Sequence, residues 1–134
     1  MNTDRREARV ANLMQIGRVM VPVSDQDEGI AFYTEKLGFS VAADLSFGEG
    51  GRWVEVAPPG GGTTIALVPP QDEYKPGRVT GIALESTDPR ADHAEFQGKG
   101  VDVDAELWGG DGIVPLGFFF RDHEGNQLMV VEKR

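Results

Sequence analysis

The sequence predicts an α+β fold built from a strand–helix–three-strand unit that occurs twice. Residues 118–131 (FFFRDHEGNQLMVV) resemble residues 55–68 (EVAPPGGGTTIALV), which lie 63 positions earlier. Each segment has two apolar runs around a turn that contains glycine, which is typical of an antiparallel hairpin. The starts of the units match at the same offset, because residues 18–25 (RVMVPVSD) lie opposite residues 81–88 (GIALESTD). We therefore expect a duplicated module whose halves pack on each other.

The domain organisation follows from these repeats. Residues 1–14 are expected to form a tail or a short helix, and residues 15–134 a single domain. Within it, the first module covers 15–68, a linker covers 69–78 and the second module covers 79–134. The linker (PPQDEYKPGR) has three prolines, mixed charge and no periodicity. A chain of 134 residues with 40% hydrophobic content suits one domain of this size.

In the first module, alternating apolar residues at 15–23 predict a strand. Ser24 is followed by three carboxylates and predicts the start of a helix, because a hydroxyl caps the first turn and negative charge favours that end. Gly38 is expected to end this helix. Three further strands are predicted at 39–45, 52–57 and 64–68.

The second module repeats this order. A strand is predicted at 79–85, and Thr87, Asp88 and Pro89 then indicate a helix start, because proline fits the first helical turn. The helix is expected to end near Gln97. The next strand is expected at 101–107, followed by a glycine-rich loop and the final hairpin.

Composition excludes several classes of protein. The net charge of −9 argues against nucleic-acid binding, which needs a basic face, and would attract cationic ligands. The absence of cysteine excludes disulfides and thiolate metal sites. No apolar run is long enough to span a membrane, and the N-terminus lacks the apolar core of a signal peptide, so we expect a cytoplasmic protein without membrane contact.

Three motifs resemble a known family: VPVSDQDEGIAFYTEKLGF at 21–39, WGGDG at 108–112 and FFFRDHEGNQLMVVEK at 118–133. Together with the duplication, they resemble the glyoxalase, bleomycin-resistance and extradiol-dioxygenase superfamily, whose members are also called vicinal oxygen chelate proteins. The resemblance implies two tandem βαβββ modules forming a half-open mixed β-barrel with the helices outside, and a ligand in its concave cavity. It also implies a homodimer.

The resemblance further locates the metal ligands of the metal-dependent members. In this sequence they fall on Arg18, Ala66, Gly81 and Met129. Arginine offers no lone pair, alanine and glycine have no side-chain donor, and a single thioether suits soft copper. We therefore expect no metal site and no cofactor, and we expect His93 and His123 to be surface residues.

Strand alternation predicts an inward set of side chains that is mostly apolar with a few polar groups, as in small-molecule pockets. The candidate ligand-binding residues are Arg18, Met20, Trp53, Glu55, Ala66, Glu85, Trp108 and Met129. Arg18 either forms an internal ion pair with Glu55 or Glu85, or holds an anionic or carbonyl oxygen of the ligand. Trp53 and Trp108 either sandwich a planar ligand or pack within the protein.

Three functions stay open. The favoured one is a metal-free binding protein like the bleomycin-resistance members, which sequesters a small cationic, aromatic ligand in the cavity of a homodimer. The second is a glyoxalase- or dioxygenase-like enzyme acting on a small oxygenated substrate, either dependent on a metal held by other residues or metal-free, with Arg18 as electrophile and Glu55 or Glu85 as base. The third is an interaction domain whose cavity is filled by its own side chains.

Overall fold

A computed structural model describes residues 10–134, which form two four-stranded sheets and two α-helices. The first module comprises β1 (Arg18–Pro22), α1 (Gln26–Ala31), β2 (Ser40–Phe47), β3 (Gly51–Ala57) and β4 (Thr64–Val68). The second comprises β5 (Val79–Ser86), α2 (Pro89–Gly98), β6 (Asp102–Val103), β7 (Gly117–Arg121) and β8 (Gln127–Glu132).

The two sheets have the same topology. The first has the order β1-β4-β3-β2 and the second β5-β8-β7-β6, and in each the first and last strands of the module pair in parallel while the other pairs are antiparallel. Neither sheet closes on itself. The predicted pair of βαβββ modules is therefore confirmed.

Each sheet has a helix side and an open side. The helix sides carry aliphatic and aromatic residues that form one core shared by the modules, including Val21, Leu67, Phe118, Leu128 and Val130. We call the opposite surfaces the first and second open faces. The first open face contains Arg18, Met20, Leu45, Trp53, Glu55, Thr64 and Ala66. The second contains Ala83, Glu85, Phe119, Arg121, Gln127 and Met129.

Helix α1 begins one residue later than predicted. The carboxylate of Asp25, not the hydroxyl of Ser24, caps it and accepts a hydrogen bond from the Glu28 backbone N–H at 3.0 Å. The backbone N–H of Ser24 instead donates to the Glu124 carboxylate of the second module at 2.6 Å. After Ala31 the chain continues as a five-residue π-helical turn, Phe32–Lys36, and Gly38 then adopts a left-handed conformation at φ 78°.

The turn between β7 and β8 joins the modules. Its buried Asp122 accepts a hydrogen bond from the Tyr33 hydroxyl at 2.9 Å, and the amide of buried Asn126 donates to the Pro22 carbonyl at 2.9 Å. Burial and the neighbouring Asp122 raise the pKa of Tyr33 well above its usual range. The RDHEGN segment therefore has an architectural role, because it ties the second module to β1 and to the end of the first helical segment.

Two expectations for the second module are wrong. Strand β6 covers only two residues instead of 101–107. Beyond it, the Asp104 backbone N–H donates to the Phe119 carbonyl at 3.1 Å, and Trp108 forms an isolated bridge with Gly117. His93 is not a surface residue: it is buried edge-on against Phe118, and its Nε2 lies 2.7 Å from the Asp104 carbonyl oxygen, so this nitrogen carries a proton. His123 is also mostly enclosed, beside the ring of Phe32.

The segments outside the modules are irregular. Residues 10–17 have no regular secondary structure, and the rest of the predicted tail, residues 1–9, lies outside the described residues. In the linker, Gln71 and Tyr74 form an isolated bridge, and the Tyr74 hydroxyl donates to the Met20 carbonyl. None of the helices in residues 10–134 has the length and apolar character that crossing a membrane requires.

Candidate functional site

A polar cluster occupies the centre of the first open face. The Glu55 carboxylate accepts three hydrogen bonds: from Arg18 Nε at 3.0 Å, from Trp53 Nε1 at 2.6 Å and from Thr64 Oγ1 at 2.7 Å. Strand register explains the arrangement, because Thr64 lies opposite Arg18 on neighbouring strands and Trp53 and Glu55 are two residues apart on β3. Three strands therefore position one carboxylate.

Glu55 is only 9% exposed, yet it stays ionised. The hydrogen bonds from Thr64 and Trp53, with a smaller contribution from Arg18, lower the pKa of Glu55 below its ordinary value. A carboxylate stabilised in this way is a weak base. This disfavours Glu55 as the general base of an enzyme and makes it a fixed anchor for Arg18.

Arg18 has binding capacity left after this contact. Only its Nε contacts Glu55, and its terminal nitrogens have no hydrogen-bond partner within residues 10–134. The side chain is 52% exposed. A guanidinium has five N–H donors in a planar fork, so Arg18 can still offer a pair of parallel donors to an oxygen-bearing group.

Apolar side chains surround this cluster. Ala66 is fully buried at the centre of the sheet, Met20 is about half exposed, and Leu45 and Phe47 on the edge strand β2 are largely exposed. Within residues 10–134, Leu45 and Phe47 stay largely uncovered. The first open face is thus an apolar surface with a cation and a carboxylate at its centre, which are the components of a small-molecule site.

The second open face is mainly aromatic. The rings of Trp108 and Phe119 lie 5.6 Å apart, and Phe119 pairs with Met129 across the strands. The Trp108 indole covers Gly117, where an added Cβ would lie only 2.5 Å from Cη2. Its buried Nε1 has no acceptor in the described part of the chain. At the edge of this face, Arg121 pairs with Asp102 and Asp104.

The structure divides the sequence-predicted site residues between the two faces. Arg18, Met20, Trp53, Glu55 and Ala66 lie together on the first open face. Glu85, Trp108 and Met129 belong to the second. The predicted partner of Arg18 is therefore Glu55 and not Glu85.

The two open faces do not enclose a common chamber within one chain. A wide cleft of about 1300 Å³ separates the modules. Helix-side residues such as Val19, Ile65 and Ile82 line it together with Ala83 and Glu85 at the edge of the second open face, whereas Arg18, Glu55 and Met129 do not. Sequence reasoning did not name Leu45, Thr64, Phe119 or Arg121 as site residues, although the alternation that places Ala66 on the first open face also places Thr64 there.

The residues at the family's metal positions do not fit a metal. Arg18 and Ala66 lie on the first sheet, Gly81 and Met129 on the second, and only the Met129 thioether is a donor, a weak one. In the described ranges, no three His, Asp or Glu side chains are close enough to share an ion.

Two solved structures resemble this chain in both sequence and fold. TnmS3, an antibiotic binding protein from Streptomyces sp. CB03234, is 33% identical with a TM-score of 0.80, and the match covers 93% of this chain and all of TnmS3. A superfamily member from Sphaerobacter thermophilus is 31% identical with a TM-score of 0.83, over 90% of this chain and 98% of that one.

Sequence comparisons agree with the structures. YetH of Bacillus subtilis is 32% identical over 127 residues, which cover 90% of this chain and 99% of YetH. The profile of the Glyoxalase/Bleomycin resistance protein/Dioxygenase superfamily matches residues 15–130. Together with the two βαβββ modules, these matches show that the chain belongs to the Glyoxalase/Bleomycin resistance protein/Dioxygenase superfamily.

Proposed function

We propose that this protein sequesters a small aromatic molecule on its open faces, and that the ligand presents an oxygen acceptor to Arg18. The observation that carries the proposal is the Arg18–Glu55 pair. Glu55 holds the guanidinium through Nε, and the terminal nitrogens have no partner in the described residues. A pre-positioned fork of this kind favours a carboxylate, a sulfonate or a carbonyl oxygen.

The aromatic part of the ligand would bind between the indole of Trp53 on one open face and the indole of Trp108 on the other. Trp53 borders the polar cluster on the first open face, and Trp108 lies with Phe119 on the second. Aromatic rings stack favourably on such surfaces, and the exposed Leu45 and Phe47 extend the apolar area. Similarity to the antibiotic binding protein TnmS3 supports a small-molecule ligand.

The binding chamber would form between two copies. One chain leaves the first open face largely uncovered, with Met20 about half exposed and Leu45 and Phe47 more than half exposed, and exposed apolar surface of this kind marks an interaction site. In a homodimer, the first open face of one copy would meet the second open face of the other. Arg18 and Glu55 would then lie opposite Trp108 and Met129.

Net charge and local charge favour different ligands. The net charge of −9 attracts cations at long range, whereas Arg18 selects an oxygen acceptor at the site. A ligand with an amino group at one end and a carbonyl or carboxylate near its aromatic ring would satisfy both. Contact with the Arg18 fork is expected to dominate, because screening weakens the long-range attraction within about 8–10 Å at physiological salt.

A matched series of naphthalenes tests the proposal. 2-Naphthoate, 2-naphthamide and 2-naphthylmethylammonium share one ring system and differ in the head group. We expect affinity to fall in that order in NMR titrations, and we expect Arg18→Gln to reduce naphthoate affinity about tenfold, or about 1.4 kcal/mol. Arg90→Gln is the matched control, because it removes an exposed cation from α2, outside the open faces.

Two results would contradict the proposal. Equal naphthoate affinity in the Arg18→Gln variant would remove Arg18 from the site. Tighter binding of the ammonium compound than of naphthoate would show that the overall negative charge, not the Arg18 fork, selects the ligand.

A further inference from the structure

A basic pocket lies at the edge of the second module. Its volume is about 570 Å³, and three cationic residues line it: Arg90, Lys133 and Arg134. Arg90 belongs to the first turn of α2, and the other two immediately follow β8. The rest of the lining comes mainly from the loop that leads into β7. Within the described chain, no residue of the two open faces contributes to this lining, so the basic pocket is separate from the candidate site.

The three cations keep donors that are not used. Arg134 donates through Nη2 to the Ile113 carbonyl at 2.8 Å, which holds its guanidinium against the loop and leaves the other N–H groups without a partner within residues 10–134. No carboxylate of the described chain lies within ion-pair distance of Arg90, Lys133 or Arg134. Neighbouring cations repel each other. An anion from outside the chain would balance this charge.

Carboxylates near the pocket are used by the backbone. Asp111, in the loop, accepts hydrogen bonds from the backbone N–H groups of Ile113 and Val114, both at 3.1 Å. Glu132, in the lining, accepts from the Leu116 backbone N–H at 3.4 Å. These contacts hold the loop in its conformation. Neither carboxylate neutralises the three cations.

We propose that the basic pocket binds the phosphate group of a small molecule. The side chains of the lining carry a net charge of +2, from three cations and the single carboxylate of Glu132. A phosphate monoester carries about −1.5 to −2 near neutral pH, so the two charges match. The guanidinium groups of Arg90 and Arg134 can offer parallel N–H donors to phosphate oxygens, and Lys133 adds a point charge.

The rest of the lining fits a small aliphatic group attached to the phosphate. The pocket volume of about 570 Å³ lies within the range of about 300–1,000 Å³ that is usual for small-molecule sites. Val114, Pro115 and Leu116 add apolar surface beside the cations, and the lining formed by the described residues contains no aromatic ring. We therefore expect an aliphatic phosphate monoester. The inference does not rest on ligand binding at the open faces.

The surrounding charge argues against an extended polyanion. Outside the pocket, the side chains of the chain carry a net charge of −11, because the lining contributes +2 to the total of −9. Asp88 and Asp92 are close in sequence to Arg90, and Asp111 lies in the loop. Nucleic acids and anionic membranes need cations spread over a whole face, so they would meet repulsion around this pocket.

A matched pair of alkyl anions tests the proposal by NMR titration. n-Butyl phosphate is a dianion at pH 8 because its second pKa is about 6, whereas n-butanesulfonate is a monoanion with the same alkyl chain. Neither compound has a ring that could stack on Trp53 or Trp108. We expect the phosphate to bind about tenfold more tightly than the sulfonate and to shift the backbone amide signals of Arg90, Gly110 and Gly112.

Substitutions assign the binding to the pocket. Arg90→Gln, and Lys133→Gln combined with Arg134→Gln, are each expected to weaken n-butyl phosphate binding about tenfold, because they remove charge-assisted hydrogen bonds. Lys75→Gln is the matched control, since it removes an exposed cation from the linker, outside the pocket. All these positions are exposed, and circular dichroism checks folding. Arg90→Gln is expected to leave 2-naphthoate affinity unchanged, because the pocket offers no ring for stacking.

Four outcomes would overturn the inference. Equal affinity for n-butyl phosphate and n-butanesulfonate would show an adventitious anion contact only. A loss of binding in Arg18→Gln but not in Arg90→Gln would assign the phosphate to the first open face. Tighter binding of a short DNA duplex or of phosphatidylserine vesicles through the same cations would make the pocket part of a polyanion surface. The absence of saturable shifts at millimolar n-butyl phosphate would show that the pocket is not a phosphate site.

Discussion

The two open faces occupy equivalent places in the repeat and carry different chemistry. Glu55 lies beside Ala66, which pairs with Met20, and Phe119 lies beside Met129, which pairs with Ala83. At this shared position, the first face has a hydrogen-bonded carboxylate and the second an aromatic ring. The helix sides, in contrast, are aliphatic and aromatic in both modules.

The same division extends to the two indoles. Trp53 belongs to β3 and donates its N–H to Glu55, whereas Trp108 comes from a loop, covers Gly117 and has no acceptor in the described residues. The first face is thus held by directional polar contacts and the second by stacking. The helix sides of both modules kept the apolar residues that the fold requires. The residues of the two open faces diverged, and with them the chemistry available for binding.

The largest expected effect comes from breaking the polar face. Glu55→Leu would leave the Trp53 N–H, the Thr64 hydroxyl and the Arg18 guanidinium without their acceptor, and we expect it to lower the free energy of unfolding by about 2 kcal/mol. The equivalent change on the second face, Phe119→Leu, removes only packing and should cost about 1 kcal/mol. Urea unfolding measures both. Equal costs would show that the two faces are stabilised alike.

The pH dependence sharpens this prediction. The pKa of Glu55 in the folded protein lies below its ordinary value of 4.5, so its ionisation stabilises the fold fully above about pH 4.5. The contribution is lost as the pH falls through the lowered pKa. We therefore expect the stability difference between wild type and Glu55→Gln to be constant near neutral pH and to shrink below pH 4.5. A difference that stays constant down to pH 3 would contradict the lowered pKa.

A smaller effect is expected from replacing the indoles. Trp53→Phe removes a hydrogen bond to a carboxylate as well as packing, whereas Trp108→Phe removes packing alone. We expect the first change to destabilise the fold by about 1 kcal/mol more than the second, as judged from thermal unfolding. If Trp108→Phe destabilises the fold more than Trp53→Phe, the assignment of stacking to the second face and polar contacts to the first is wrong.

The smallest effect is expected at the rim of the second face. Asp102 pairs with Arg121 but is mostly exposed, and Asp104 keeps a second contact to the same guanidinium. Asp102→Asn should cost no more than about 0.5 kcal/mol. The difference should vanish near 1 M salt, where screening is nearly complete. A loss above 1 kcal/mol that persists in salt would mean that this ion pair is structural.

Sequence patterns predicted most of the fold because alternation and duplication are strong, local signals. They fixed the phase of the strands correctly, and one of the two alternatives for Arg18, a pair with Glu55, is present. The helix cap was misassigned to Ser24 because Ser24 and Asp25 are both good caps, and only the backbone geometry distinguishes them.

Other features depend on tertiary contacts that no local pattern contains. Buried His93 contacts the carbonyl of Asp104, just beyond β6, and the position of Trp108 depends on a loop that returns over Gly117. Neither is visible in spacing. The domain boundaries, the homodimer, the cytoplasmic location and the roles of the eight site residues stay predictions.

The RDHEGN turn has a consequence for how relatives are recognised. Asp122 and Asn126 bind Tyr33 and Pro22, so this signature preserves the attachment of one half of the molecule to the other. Alignments that rely on this signature will group proteins whose modules are joined in the same way, even when those proteins bind unrelated ligands. Ligand classes should instead sort by the amino acids at positions 18, 55 and 119, which lie on the open faces.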